Sequence, residues 1–168
     1  MNTILPHPEI ITGKDTKMLR GRAAPIGKID ASTRELAKKM RRIMREAAGV
    51  GLAAPQIGVP LAIFVAEVNK KFYALINPEI IKTSQEKDAM EEGCLSLPGF
   101  YGPVERPAKI TIAALDLKGK RVKIKAWGLL ARVFQHEVDH LNGTLFVDKV
   151  KNLRNYENVR KYEKEQNI

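Results

Sequence analysis

The sequence predicts an α+β fold, because strand-like segments crowd the middle of the chain while helical ones lie early and late. Three observations support this. "STRELAKKMRRIMREAAGVG", from Ser32, repeats apolar residues at helical spacing. Two central regions, 61–78 and 109–127, read as hairpins of apolar or alternating residues around turn sequences. Then "GLLARVFQHEVDHLNG", from Gly128, returns to helical spacing. No repeat, low-complexity run or linker divides the chain, so residues 1–168 are expected to form a single domain.

Residues 1–31 read as irregular, broken by Pro6, Pro8, Pro25 and several glycines. In the first helix Leu36, Met40, Ile43, Met44 and Ala47 form the apolar stripe. Ser32 or Thr33 is the expected cap, Glu35 is placed for a capping box, and Gly49 ends the helix. "LAIFVAEV" and "KFYALINP" form the first hairpin through "EVNKK". In the second, Ile110 and Ile112 alternate with Lys109 and Thr111, "DLKG" turns, and Val122 and Ile124 alternate with Arg121, Lys123 and Lys125. A helix over Gly128–Leu141 follows and stops at Asn142–Gly143. The tail predicts a basic helix over 149–166 with a thin stripe of Leu153, Tyr156, Val159 and Tyr162.

Composition narrows the class of protein. The 29 Lys and Arg against 19 Asp and Glu leave a net charge of +10. Such a balance suits a polyanion partner, nucleic acid or a ribosome surface, and equally a well-solvated surface. One cysteine excludes an intrachain disulfide framework. No apolar run reaches the ~18 residues of a spanning helix, and "MNTILPHPEI" lacks the basic-then-apolar pattern of a signal peptide. The expected location is therefore cytoplasmic, with no membrane partner.

The chemistry concentrates in "QHEVDHLNG". His136 and His140 are four apart, one above the other on a helix, with Glu137 between them. Leu129 and Val133 share their face, so the histidines point toward the core. H-E-x-x-H is the pattern of two imidazoles on one metal with a glutamate as general base. A catalytic metal usually has a third protein ligand. The extended zincin motif would place it at 146, but Phe146 stands there. Glu163 and Glu165 lie in a charged tail that reads as solvated. Cys94 in "MEEGCLSLPGFYG" remains, in what reads as a constrained loop; an inert core cysteine is the other reading of it. "AAGVGLAAPQIGVP" lacks the third glycine and the lysine of a phosphate loop. It suits a tight loop of small residues, with Gln56 able both to donate and to accept.

"GVGLAAPQ", "EGCLS" and "QHEVDH", in this order, resemble the peptide deformylase family, and the likeness extends roughly over residues 33–150. "ILPHPEI" and "MLRGRAAPI" are similar to the family's opening, with "ITGKDTK" as extra residues between them. The resemblance implies an α+β fold of antiparallel β-sheets packed around a central helix bearing the HExxH motif. It implies hydrolysis of the N-formyl group from the N-terminal methionine of new polypeptides. By motif position, Cys94, His136 and His140 hold one divalent ion, usually Fe²⁺ and otherwise Zn²⁺ or a similar ion. Glu137 is the general acid/base, and the Gln56 side chain and the Leu95 N–H stabilise the oxyanion. The resemblance also places Tyr101 where the family contacts substrate. Leu129 and Val133, on the face of His136, and Val50 have two readings, walls of a methionine pocket or plain core packing. Gly49, Val50 and Gly51 offer a strand-like edge to the peptide backbone. Glu92 either orients a ligand histidine or stands in solvent. The implied partners are formylmethionyl nascent peptides and, through the basic tail, the ribosome. Two other readings stay open: a zincin-like metalloendopeptidase, and a catalytically silent ribosome-binding homologue, against which the intact Glu137 and Gln56 argue.

Overall fold

The structure, a computed structural model, describes residues 7–155. After a single helical turn at Lys17–Arg20 (α1), the first long helix, α2, spans Ala31–Glu46. Its cap is Asp30, whose carboxylate accepts from the Thr33 N–H at 3.2 Å, in place of the expected Ser32 or Thr33. The helix also ends earlier than Gly49, because Ala48 turns into the left-handed region at φ 53°.

Five antiparallel strands form the larger sheet: Gly51–Ala53 (β1), Ile63–Val68 (β2), Lys71–Thr83 (β3), Lys109–Leu115 (β6) and Arg121–Trp127 (β7), in the order β1-β2-β3-β6-β7. Lys87–Cys94 (β4), Leu97–Pro107 (β5) and Arg154–Asn155 (β8) form the smaller one, in the order β4-β5-β8. Both expected hairpins are present. Asn69 and Lys70 turn the first with positive φ, which matches the twist of the flanking strands. Asp116 turns the second by accepting from the Lys118 and Lys120 N–H groups.

The near-continuous apolar run in β2 follows from its being buried on both faces. Ile63 and Val65 meet Met40, Ile43 and Met44 of α2. Phe64 and Ala66 face the opposite way, toward Phe134 of the third helix, Gly128–Leu141 (α3). The Phe134 ring stands 5.5 Å from Phe64 and 5.2 Å from Tyr73. On its other side α3 meets the smaller sheet, where Arg132 donates to the carbonyls of Asp88 and Val104 and Gln135 to that of Pro107. The helix carrying the histidines thus runs between two antiparallel sheets, and the fold is α+β.

Three local expectations are corrected. The "EGCLS" segment, expected as a constrained loop, is the tip of the long β4–β5 hairpin. Gly49 to Gln56 is not one loop either, since Gly51–Ala53 joins the sheet edge and Ala54–Ile57 makes a 3₁₀ turn. Of the expected tail helix, residues 149–155 instead form a bend and a two-residue strand against β5. Tail residues 156–168 lie outside the described residues.

Candidate metal and catalytic site

Three elements converge on the site: the C-terminal half of α3, the end of β4 and the 3₁₀ turn Ala54–Ile57. The i, i+4 spacing sets the rings of His136 and His140 edge to face, with centroids 4.9 Å apart. Cys94 ends β4, where the pairing shifts from Gly93 with Tyr101 to Cys94 with Leu97. Such an irregularity re-aims a side chain, here toward α3. The Cys94 Sγ lies 3.2 Å from His140 Nε2, and the ligand atoms of Cys94, His136 and His140 all fall within 4.8 Å of one another.

The ring orientation of His136 is set from behind. Its Nδ1 meets Glu92 Oε2 at 3.0 Å, which leaves Nε2 for the site. Glu92 is buried and accepts in turn from Nε and Nη2 of Arg106, at 2.6 and 2.9 Å, and from Arg132 at 2.7 Å. Arg106 also reaches Asp139 at 2.7 Å. Burial alone would raise the Glu92 carboxyl, but Arg106 and His136 hold it well below the usual carboxylate range. The reading of Glu92 as a solvated residue is therefore replaced by a buried one that orients His136. On the far side Phe146 lies nearly parallel to the His136 ring at 6.3 Å.

The donor set fits a divalent ion. A thiol and two imidazoles form a known soft ligand set for Zn²⁺ and Fe²⁺. Burial, reinforced by the charges of His136 and Arg106, pushes His140 well below its ordinary value, so it stays neutral with a lone pair free. Burial also opposes charge on His136, but hydrogen bonds to Cys94 and Glu92 raise it well above its ordinary value.

Glu137 is 4% exposed, and its Oε2 has no hydrogen-bond partner among the described residues. Burial pushes its carboxyl up to about 7. Gly51 is what admits it: a Cβ there would collide with the Glu137 carboxylate. Gly51→Ala should therefore displace Glu137 and lower kcat by about 10²-fold, as small misplacements of catalytic groups do. Equal metal content in variant and parent, with kcat unchanged, would remove this role for the glycine.

Gln56 sits in the 3₁₀ turn at 2% exposure. Its Oε1 accepts from the Ala53 N–H at 2.8 Å, which turns Nε2 toward Ser96 Oγ at 3.1 Å and Cys94 Sγ at 3.7 Å. Leu95 follows Cys94 at the hairpin tip, its side chain against Gly49. Val50 and Leu129 are about half exposed, whereas Val133 is buried in the core with Phe134. Tyr101 lies on β5 directly opposite Gly93, with its ring against that glycine.

Arg106, Arg132, Asp139, Ser96 and Phe146 were not singled out as part of this site from sequence. One signal was available for Arg106, which occupies an inward position after Gly102 and Val104 on an alternating strand. The contact of Phe146 with His136 depends on tertiary packing and leaves no local pattern.

The polypeptide deformylase family profile matches residues 8–156. The chain is 43% identical over 166 residues to the peptide deformylase of Rhizobium meliloti (strain 1021), covering 96% of this chain and 90% of that one. It is 52% identical over 135 residues to that of Halothermothrix orenii, covering 79% and 87%. The fold matches the crystal structure of a peptide deformylase from Synechococcus elongatus in complex with actinonin, with a TM-score of 0.83 and 40% identity over 87% of this chain and 80% of the other. It matches that from Thermotoga maritima with a TM-score of 0.82 and 40% identity over 85% and 97%. With these likenesses and a candidate Cys-His-His metal site, the chain belongs to the polypeptide deformylase family, whose activity is the removal of N-formyl groups from nascent peptides.

Proposed function

We propose that Cys94, His136 and His140 hold one divalent ion, Fe²⁺ in cells, and that Glu137, Gln56 and Leu95 carry out deformylation of formylmethionyl peptides around it. The observation that carries this reading is the convergence of the three ligand atoms within 4.8 Å beside the buried Glu137. A divalent ion held there supplies a Lewis acid and lowers the pKa of water toward about 7.

Around that ion the chain's own groups divide the work. Glu137 takes a proton from the attacking water at its unpartnered oxygen and delivers it to the leaving amine nitrogen. The Gln56 Nε2, turned toward Cys94, donates to the oxygen that becomes negative, and the Leu95 N–H donates beside it. Gly49, Val50 and Gly51, at the start of the edge strand β1, pair with the peptide as an added strand. Val50 and Leu129 form the open walls of the methionine pocket above Val133, and Tyr101 contacts the peptide from β5. All of these groups belong to one catalytic domain, working in the cytoplasm where new chains emerge. Among the described residues no helix is long and apolar enough to cross a membrane.

The direct test is formate release from formyl-Met-Ala by protein loaded anaerobically with Fe²⁺; absence of release overturns the proposal. Gln56→Ala should keep the metal and lose about 10²–10³ in kcat, as expected for one oxyanion donor. A change confined to KM would assign Gln56 to binding alone.

A further inference from the structure

The two long faces of the larger sheet are covered unequally. Val122, Ile124 and Ala126 of β7 turn inward toward the α3 core. By alternation Arg121, Lys123, Lys125 and Trp127 point to the opposite face, and all four are exposed. On that face α2 buries its stripe on Leu52, Ile63, Val65 and Ile76, all from β1 to β3. The β7 half carries no helix among the described residues.

Charge separates this face from the other basic surface. On α2, Lys38, Lys39, Arg42 and Arg45 are each paired with Glu35, Glu9, Glu46 or Glu67. Arg121, Lys123 and Lys125 have no carboxylate within 4.0 Å among the described residues. Cross-strand neighbours extend the patch: Lys125 lies opposite Thr111, which lies opposite Lys82, and Lys109 lies opposite Trp127. Two acids lie beside these neighbours: Glu86 is 3.6 Å from Lys109, and Glu79 on β3 is opposite Ala113, the cross-strand partner of Lys123.

Trp127 is the single tryptophan of the chain and is 69% exposed. Lysines on an edge strand guard against strand-to-strand aggregation, but an exposed tryptophan works against that purpose. A row of cations ending in an exposed aromatic ring is the combination that binds single-stranded nucleic acid, with phosphates on the cations and a base on the ring. Successive same-face residues on a strand stand roughly 6.7 Å apart, a spacing that lets one extended RNA backbone meet each cation in turn.

We propose that the outer face of β6 and β7 is a docking surface for single-stranded RNA, with phosphates on Arg121, Lys123 and Lys125 and a base stacked on Trp127. None of these four residues is among those proposed above to hold the metal or the formylated peptide.

The test titrates an oligouridylate into the metal-loaded full chain and follows Trp127 emission and RNA anisotropy over a range of salt. Binding should quench the emission and weaken as salt rises. Replacing the three cations together (Arg121→Gln, Lys123→Gln, Lys125→Gln) should weaken binding about tenfold or more and lower the log–log salt slope by about 2. Formate release from formyl-Met-Ala should be unchanged. RNA that saturates the anisotropy without altering Trp127 emission places the binding elsewhere and overturns the proposal. So does equal RNA affinity in the variant. Binding to vesicles of equal phosphatidylglycerol and phosphatidylcholine with none to the oligouridylate also overturns it, in favour of a membrane surface. The wild-type emission titration needs no variant, so a misfolded triple variant leaves the test intact.

Discussion

Glu137→Gln should lower kcat for formyl-Met-Ala by about 10²–10⁴-fold while metal content and KM stay near those of the parent. The amide keeps the size and shape of the carboxyl, so its packing against Gly51 survives. What it loses is the ability to take up and return a proton. The parent carboxyl, pushed up to about 7 by burial, exchanges its proton near neutral pH, where a proton carrier works best. The base must be ionised to accept the water's proton, so the parent rate should rise with pH through an acid limb. A cation in the site favours the ionised form, which puts that limb at or below about 7. In Glu137→Gln the limb should disappear. A pH profile of kcat for the two proteins, with metal analysis beside it, decides the matter; an unchanged limb would assign it to another group.

The second large effect concerns stability. Arg106→Met should cost about 3–5 kcal/mol, because it removes a main counter-charge of a carboxylate that stays buried. Arg106 is 3% and Glu92 6% exposed, so water cannot replace the lost partner. For a chain of this size the melting temperature should fall by roughly 6–20 °C. The pH dependence follows from the depressed Glu92 carboxyl. That group contributes its full stability above its unfolded value near 4.5 and loses it as pH falls toward the lower folded value. Without Arg106 the carboxyl protonates more readily, so the gap between the two melting temperatures should narrow in acid. Calorimetry at neutral and acid pH measures both effects; a constant gap would mean that Glu92 keeps its low value without Arg106. The same variant should loosen His136, since Glu92 is what fixes its ring.

Much of the site was legible in the sequence because its chemistry is local. H-E-x-x-H places both imidazoles on one helical face by spacing alone, and the 4.9 Å ring separation matches that expectation. The hairpins were legible through alternation and their turn residues. The β4–β5 hairpin was not, because Gly93, Pro98, Gly99 and Pro103 read as breakers and its pairing is irregular at Cys94. The cap at Asp30 was missed because Ser32 and Thr33 offer the same chemistry two and three residues later. The tail helix was extrapolated from charge and a thin stripe, and strand pairing with β5 prevailed over 154–155.

By itself the sequence determined the candidate ligand types, the helix that carries two of them, the presence of Glu137 and Gln56, and the α+β class. Each depends on spacing within one element or on residue identity, which the chain states directly. Only the tertiary structure decided that Cys94 meets His140 across 46 residues, that Glu92 faces His136 rather than water, and that Glu137 is buried enough to hold a proton near neutrality. Those properties arise from desolvation and from charges on other strands, and no local pattern encodes them.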